Sequence, residues 1–278
     1  VPLEDGWIEQ LSRELNCRVA NFGVSGFGSD QAYVRFRRNL SDRAPVTMLG
    51  IFPLNAVRNV NQYRALIGFA QDPRLLKGRY ILDGAAKLKW IPRPRLDGHG
   101  FVELHRNPRK VLPHEYLLPD SRDGPVSVAF PYTLSVLRIL AMPRLRSRFS
   151  GNPSWAEFFE SDHPSGALAL TIAIAEAFVR EAERRGKRGL VVMLPGASSF
   201  RAHEKNGSFE YAPLVQGLEA RKIDVFDPAP VLLARLGDRR ICELYVQPEN
   251  CEGHYGVAGG RLVAEVVGKE LRRRRWVD

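Results

Sequence analysis

The chain is poor in the residues that build covalent or metal frameworks. Its three cysteines, Cys17, Cys242 and Cys251, are odd in number and show no CxxC spacing. This argues against a disulfide framework and against a structural zinc site. The histidines show no HxxxH or HxH spacing, and His99, His105, His114, His163 and His203 fall in loops or in the irregular middle of the chain. They read as surface residues, so neither a metal nor a cofactor is expected. No apolar run approaches the roughly 20 residues of a membrane-spanning helix. The longest candidate, Ala167–Val179, is interrupted by Glu176 and reads as a buried or amphipathic helix. No transmembrane segment is therefore expected, and no secretory leader is visible. Internal repeats and low-complexity tracts are absent. So are the GxGxxG dinucleotide fingerprint and the GxSxG nucleophile elbow.

What is present is ordinary globular composition with a basic surplus: 278 residues, 44% hydrophobic, 26% charged, net charge +10. That length suits one large domain with a real core. The charge admits an anionic partner such as a lipid headgroup or an acidic polysaccharide. Nucleic acid is not expected, because basic and aromatic residues do not interleave and no docking motif occurs. The densest run, Arg272–Arg275, closes the last expected helix, where cations are favoured by the helix dipole.

Hydrophobic periodicity predicts a helix over Trp7–Leu15, a strand over Arg18–Asn21 and a helix from about Gln31 to Asn39, with Ser29 or Asp30 as its cap. Continuous apolar runs predict buried strands at Val46–Phe52, Leu190–Leu194 and Ile223–Phe226. Long helices are expected over Ser165–Arg184 and Val257–Arg272. Such alternation gives a doubly wound α/β sheet, in which ligands bind at the carboxyl ends of the strands. The Pro- and Arg-rich stretch Gln71–Asn152, with a hairpin near Asp83-Gly84, reads as a lid-like insertion within a single domain spanning residues 1–278.

Three post-strand segments carry chemistry. In Asn21–Gln31 (NFGVSGFGSDQ), glycines let the backbone turn sharply and present N–H groups to an anion; a purely structural turn is the rival reading. Gly50–Asn55 ends the first apolar strand, where an Asn amide suits a developing oxyanion, or caps a turn. Asn250–Gly260 places Glu252 two residues before His254 at the mouth of a helix, the order of an orienting acid and a general base. Asp227, after the third apolar strand, reads as a turn or cap residue and is the alternative acid.

Taken together, these segments resemble the SGNH/GDSL hydrolase family, in its bacterial branch with a long insertion. The opening Val1-Pro2-Leu3-Glu4-Asp5-Gly6-Trp7 is similar to the residues that follow that family's GDS block. The resemblance implies a flavodoxin-like three-layer α/β/α fold and a serine esterase acting on a small-molecule or carbohydrate ester. The Gly26 N–H and Asn55 would form the oxyanion hole, His254 would be the base and Glu252 its partner. The chain departs from the family in lacking GDS, in carrying Glu252 for the usual Asp, and in having Ala56 after Asn55. The nucleophile is accordingly expected upstream of Val1, with Ser25 as a lesser alternative. An O-acyltransferase, or a non-catalytic module of the same fold binding carbohydrate or another polyanion, are the alternatives.

Overall fold

A computed structural model describes residues 3–67, 75–143, 145, 149, 151–237 and 239–278. Val1 and Pro2 of the opening stretch, 71–74 at the start of the expected insertion, and several positions of its 142–150 end lie outside the described residues.

Helix α1 (Trp7–Glu14) is followed by an irregular segment, then α2 (Ser29–Arg38), strand β1 (Val46–Ile51) and the short α3 (Asn55–Asn59). The middle of the chain adds a hairpin, β2 (Arg79–Leu82) with β3 (Leu88–Ile91), and helices α4 (Gly98–Arg106), α5 (Pro108–Val111) and α6 (Tyr132–Ala141). The long α7 (Ala167–Arg184) leads to β4 (Arg188–Met193), α8 (Ala197–Asn206), α9 (Ala212–Glu219), β5 (Val225–Phe226) and α10 (Ala229–Leu236). A short antiparallel ribbon, β6 (Tyr245–Gln247) and β7 (Glu252–Tyr255), precedes the last helix, α11 (Val257–Arg273).

The result is a mixed α/β protein with a central parallel sheet in the order β1-β4-β5 and helices around it. Val46 pairs with Arg188 through to Ile51 with Met193, and Val191 and Val192 pair with Val225 and Phe226. Leu190, Val191, Val192 and Met193 are fully buried, which is why the middle strand reads as an unbroken apolar run. Helix α7 lies along β4. The approach is close enough that a Cβ on Gly189 would meet Val179 Cα at 3.1 Å and Ala182 Cβ at 3.2 Å. Its C-terminus turns through Gly186, with the Lys187 N–H donating to Ala182 O (2.9 Å), a helix stop of the Schellman kind. Lys187 Nζ then donates to Asp42 O and Ala44 O (2.6 and 2.7 Å), fixing the start of β1 against the start of β4.

Several expectations need correction. Arg18–Asn21 forms no strand: the segment has no sheet partner, and the Val19 N–H bonds to Ser12 Oγ (3.0 Å) instead. Neither Ser29 nor Asp30 caps α2. Gly28 is the cap, its N–H held by Gln31 Oε1 (3.3 Å), while Asp30 is fully buried in an ion pair with Lys77. Cys242 and Cys251 form a disulfide, because the ribbon brings their Cα atoms to 4.6 Å, and only Cys17 is free. The basic run does close the last helix, as expected, and three of its members form ion pairs there: Arg272 with Glu14, Arg273 with Glu270, and Arg274 with Glu270 and Asp224.

The middle of the chain is fastened to the sheet layer by buried polar groups. Glu115 Oε2 accepts from the N–H groups of Gln62 (2.6 Å) and Tyr63 (2.9 Å) and from Asn61 Nδ2 (3.1 Å). Arg79 Nη1 donates to Val60 O (2.5 Å) and His114 O (2.6 Å). The hairpin lies where expected, its turn closed by Asp83 Oδ1 accepting from the N–H groups of Ala85 and Lys87 (both 2.9 Å).

Candidate functional site

Two of the four expected site residues come together. The chain leaves β1 at Phe52 and turns into α3 at Asn55, which is buried. Asn55 Oδ1 accepts from the Phe52 N–H (2.7 Å), which fixes the rotamer of the amide. Its Nδ2 donates to Phe27 O (2.8 Å), and Arg58 Nη1 donates to the same carbonyl (3.1 Å). Asn55 thus grips the glycine turn one residue beyond Gly26. One of its two amide hydrogens is used there, leaving the second for another acceptor. Asn59 extends the contact inward. Its Oδ1 accepts from the Asp30 N–H (3.2 Å), and its Nδ2 donates to Ser29 Oγ (2.8 Å) and Thr171 Oγ1 (3.0 Å).

Gly26 sits at φ +77°, in the left-handed region that a side chain disfavours. The half-buried Gly26 N–H donates to no acceptor among the described residues. A Cβ there would stand 2.8 Å from Arg64 Nη2. Arg64 is 8% exposed and its side chain forms no ion pair or hydrogen bond among the described residues, where Arg58 Nε is also buried without a partner. Burial lowers the Arg58 pKa to about 10, with the Arg64 charge adding to the shift. Burial also lowers that of Arg64, against the pull of Asp30. Two guanidinium groups beside a backbone N–H that has no acceptor among the described residues give this turn a positive potential of the kind that suits an anion.

The other two expected residues are not bonded to this turn. His254 and Glu252 are exposed on β7, and among the described residues neither side chain makes a hydrogen bond or an ion pair, with the other or with anything else. A solvated carboxylate–imidazole pair gains about 0–1 kcal/mol, so proximity in sequence does not enforce contact. The ribbon itself is tied to the carboxyl end of β4. Tyr245 Oη and Tyr255 Oη both donate to Pro195 O (3.1 and 2.7 Å), and Arg201 Nη1 donates to Cys251 O (3.2 Å). Ser25 is exposed, and among the described residues its side chain makes no hydrogen bond. Asp227 precedes the cap of α10, Pro228, and accepts from the Ala229 N–H (3.0 Å) and from Tyr211 Oη (3.1 Å). Burial raises its pKa.

Some chemically loaded groups have no sequence signature. Arg58 and Arg64 look like ordinary helix and loop cations until the glycine turn folds over them. Glu210 is a carboxyl whose pKa burial raises; its Oε1 accepts from Ser199 Oγ (2.5 Å) and Trp155 Nε1 (3.0 Å), while its Oε2 has no partner. His163, expected at the surface, is 4% exposed and packs between the rings of Tyr116 and Phe158. The correction has a simple cause: a loop His before a helix is solvated only if no other segment covers it, and here the middle of the chain does.

Comparison of the chain with protein-family models, with curated proteins and with solved structures gives no match.

Proposed function

We propose that this chain is the body of a serine-dependent acyl hydrolase of the SGNH type, with a flavodoxin-like three-layer α/β/α fold and its nucleophile upstream of Val1. The supporting observation is the knot formed by Gly26, Phe27 and Asn55 after the first parallel strand. A left-handed glycine whose N–H has no acceptor among the described residues adjoins Phe27, whose carbonyl Asn55 holds with one of its two amide hydrogens. In this reading the serine attacks an ester carbonyl while His254 takes its proton. The tetrahedral oxyanion is stabilised by the Gly26 N–H and Asn55, and removing one such donor lowers turnover by about 10²–10³. Glu252 orients the imidazole. Collapse expels the alcohol, which receives the proton from His254, and water or a sugar hydroxyl then accepts the acyl group. This chemistry requires His254 to meet both Glu252 and the serine, whereas among the described residues its side chain is exposed and unbonded.

A second reading, a non-catalytic module of the same fold that binds a polyanion, is favoured by Arg58 and Arg64 and by the unbonded state of His254. The two are separated by treating the protein expressed from its complete reading frame with a fluorophosphonate and mapping the adduct by mass spectrometry. Label on a serine preceding Val1 that disappears in His254→Ala is expected. A folded protein that takes no label overturns the enzyme reading. Binding of an acidic oligosaccharide that weakens in Arg64→Ala would then favour the second.

A further inference from the structure

We propose that Asp123, Glu157 and His163 form a binding site for one divalent transition-metal ion, of the zinc class. Each offers a ligand atom, and the three atoms lie within 4.8 Å of one another. The site stands apart from the glycine turn and does not rest on the acyl-transfer reading.

Three features go beyond proximity. First, His163 is 4% exposed and its Nε2 has no hydrogen-bond partner. A buried ring nitrogen left unsatisfied is uncommon and asks for an explanation. Second, Asp123 Oδ2 stands 3.5 Å from that Nε2. A charge-assisted N–H···O bond is shorter, about 2.7–2.9 Å. Two ligands bound to one tetrahedral ion at about 2.0–2.1 Å are held about 3.3–3.4 Å apart, so the observed gap suits an ion between the atoms. Third, the surrounding groups orient the ligands. His163 Nδ1 lies 2.7 Å from Ser165 Oγ, which accepts from the Ala167 N–H (3.2 Å), and 3.4 Å from the Ser165 N–H; the tautomer in which Nδ1–H donates to Ser165 Oγ is the one that leaves the Nε2 lone pair for an ion. Tyr116 Oη donates to Asp123 Oδ2 (2.6 Å). Such outer partners are the usual support of a metal-bound His and carboxylate.

The charges also balance. Two carboxylates and an imidazole compensate a divalent cation, and Asp123, 1% exposed, has Tyr116, the imidazole at 3.5 Å and the Arg122 charge beside it to offset its burial. Glu157 is the open side of the site. Its side chain is 30% exposed, pairs with Arg122 at 3.2 Å, and faces a cleft of about 1130 Å³ that Glu160 and Asp162 also line. A nitrogen-and-carboxylate donor set suits zinc or manganese better than a soft or a purely oxygen-seeking ion. The ligands come from three separated segments: a loop of the middle region, the turn Ala156–Phe159, and the loop leading into α7. A bound ion would therefore clamp the middle region onto the helix that covers the sheet.

The test is to strip the complete protein with EDTA, then titrate Zn²⁺ by calorimetry and follow Co²⁺ substitution by its visible absorption. We expect one equivalent per chain, a rise in the thermal midpoint on adding Zn²⁺, and loss of the cobalt bands in His163→Ala. Glu157→Gln, at the solvent side, keeps the fold and should weaken the dissociation constant at least tenfold; it carries the test if His163→Ala fails to fold. No saturable Zn²⁺ binding to the folded wild-type protein overturns the proposal. So does binding that is unchanged in Glu157→Gln, which would place the ion on other surface groups.

Discussion

Replacing Glu115 probes the fastening of the middle region more directly than any change in the sheet. The residue is 5% exposed, and its carboxylate serves four donors: Gln62 N, Tyr63 N and Asn61 Nδ2 on Oε2, and Leu117 N (2.8 Å) on Oε1. Glu115→Ala leaves three buried backbone N–H groups without an acceptor, each costing about 1–3 kcal/mol. It also removes the countercharge facing the buried Arg79, whose pKa burial already lowers. Allowing for relaxation and water entry, the loss should be about 3–6 kcal/mol, a large part of the roughly 5–15 kcal/mol that holds a domain folded. Glu115→Gln retains one acceptor oxygen. Turned toward the three donors on the Oε2 side, it leaves its NH₂ facing the Leu117 N–H, for a loss of about 1–3 kcal/mol. Urea unfolding followed by circular dichroism on wild type and both variants measures the two losses. Equal midpoints for Ala and Gln, or an Ala variant within about 0.5 kcal/mol of wild type, would refute the idea that this carboxylate is an acceptor hub.

Glu210 gives a pH signature. Burial raises its pKa above the usual 4.5, so the folded state holds a proton that the unfolded chain releases. Its contribution is complete below the unfolded pKa and is lost as pH rises through the folded one. Glu210→Gln should therefore match wild type in acid and gain relative stability from about pH 4.5 upward; a difference that does not change with pH contradicts the assignment. Reduction of Cys242–Cys251, which are 9 residues apart in sequence, opens a small loop and should lower stability by about 2–3 kcal/mol on the loop-entropy model. Thiol counting before and after dithiothreitol, alongside thermal melting, checks this, and three free thiols in the unreduced protein would show the bond absent.

Much of the framework is legible in the sequence because it depends on local periodicity. The apolar runs VTMLGIF and LVVML become β1 and β4, and the amphipathic patterns at Trp7, Ala167 and Val257 become helices close to the expected bounds. Asp83-Gly84 marks its hairpin by turn chemistry alone. Arg18–Asn21 has a strand's composition but no partner, and a strand exists only when another strand takes its N–H and C=O groups. The second β-ribbon and its disulfide were hidden for a related reason. Cys242 and Cys251 carry no metal-like spacing, and only the antiparallel register brings them together.

The candidate site divides along the same line. Sequence alone marks the glycine turn and the post-strand Asn55 through residue type and position, and the family resemblance singles out Gly26 within that turn. Sequence also marks Glu252 and His254 as an acid and a base near each other, but their exposure on β7 is a tertiary outcome, set by how the ribbon hangs from Pro195. The burial of the Arg58 and Arg64 guanidinium groups, the free Oε2 of Glu210 among the described residues and the enclosure of His163 by Tyr116 and Phe158 exist only after distant segments close over them. Residue type fixes what a side chain is able to do, and local pattern fixes the element that carries it. Desolvation and the choice of partner, which decide whether a charge is bare or a nitrogen is free, belong to the packing of segments far apart in the chain.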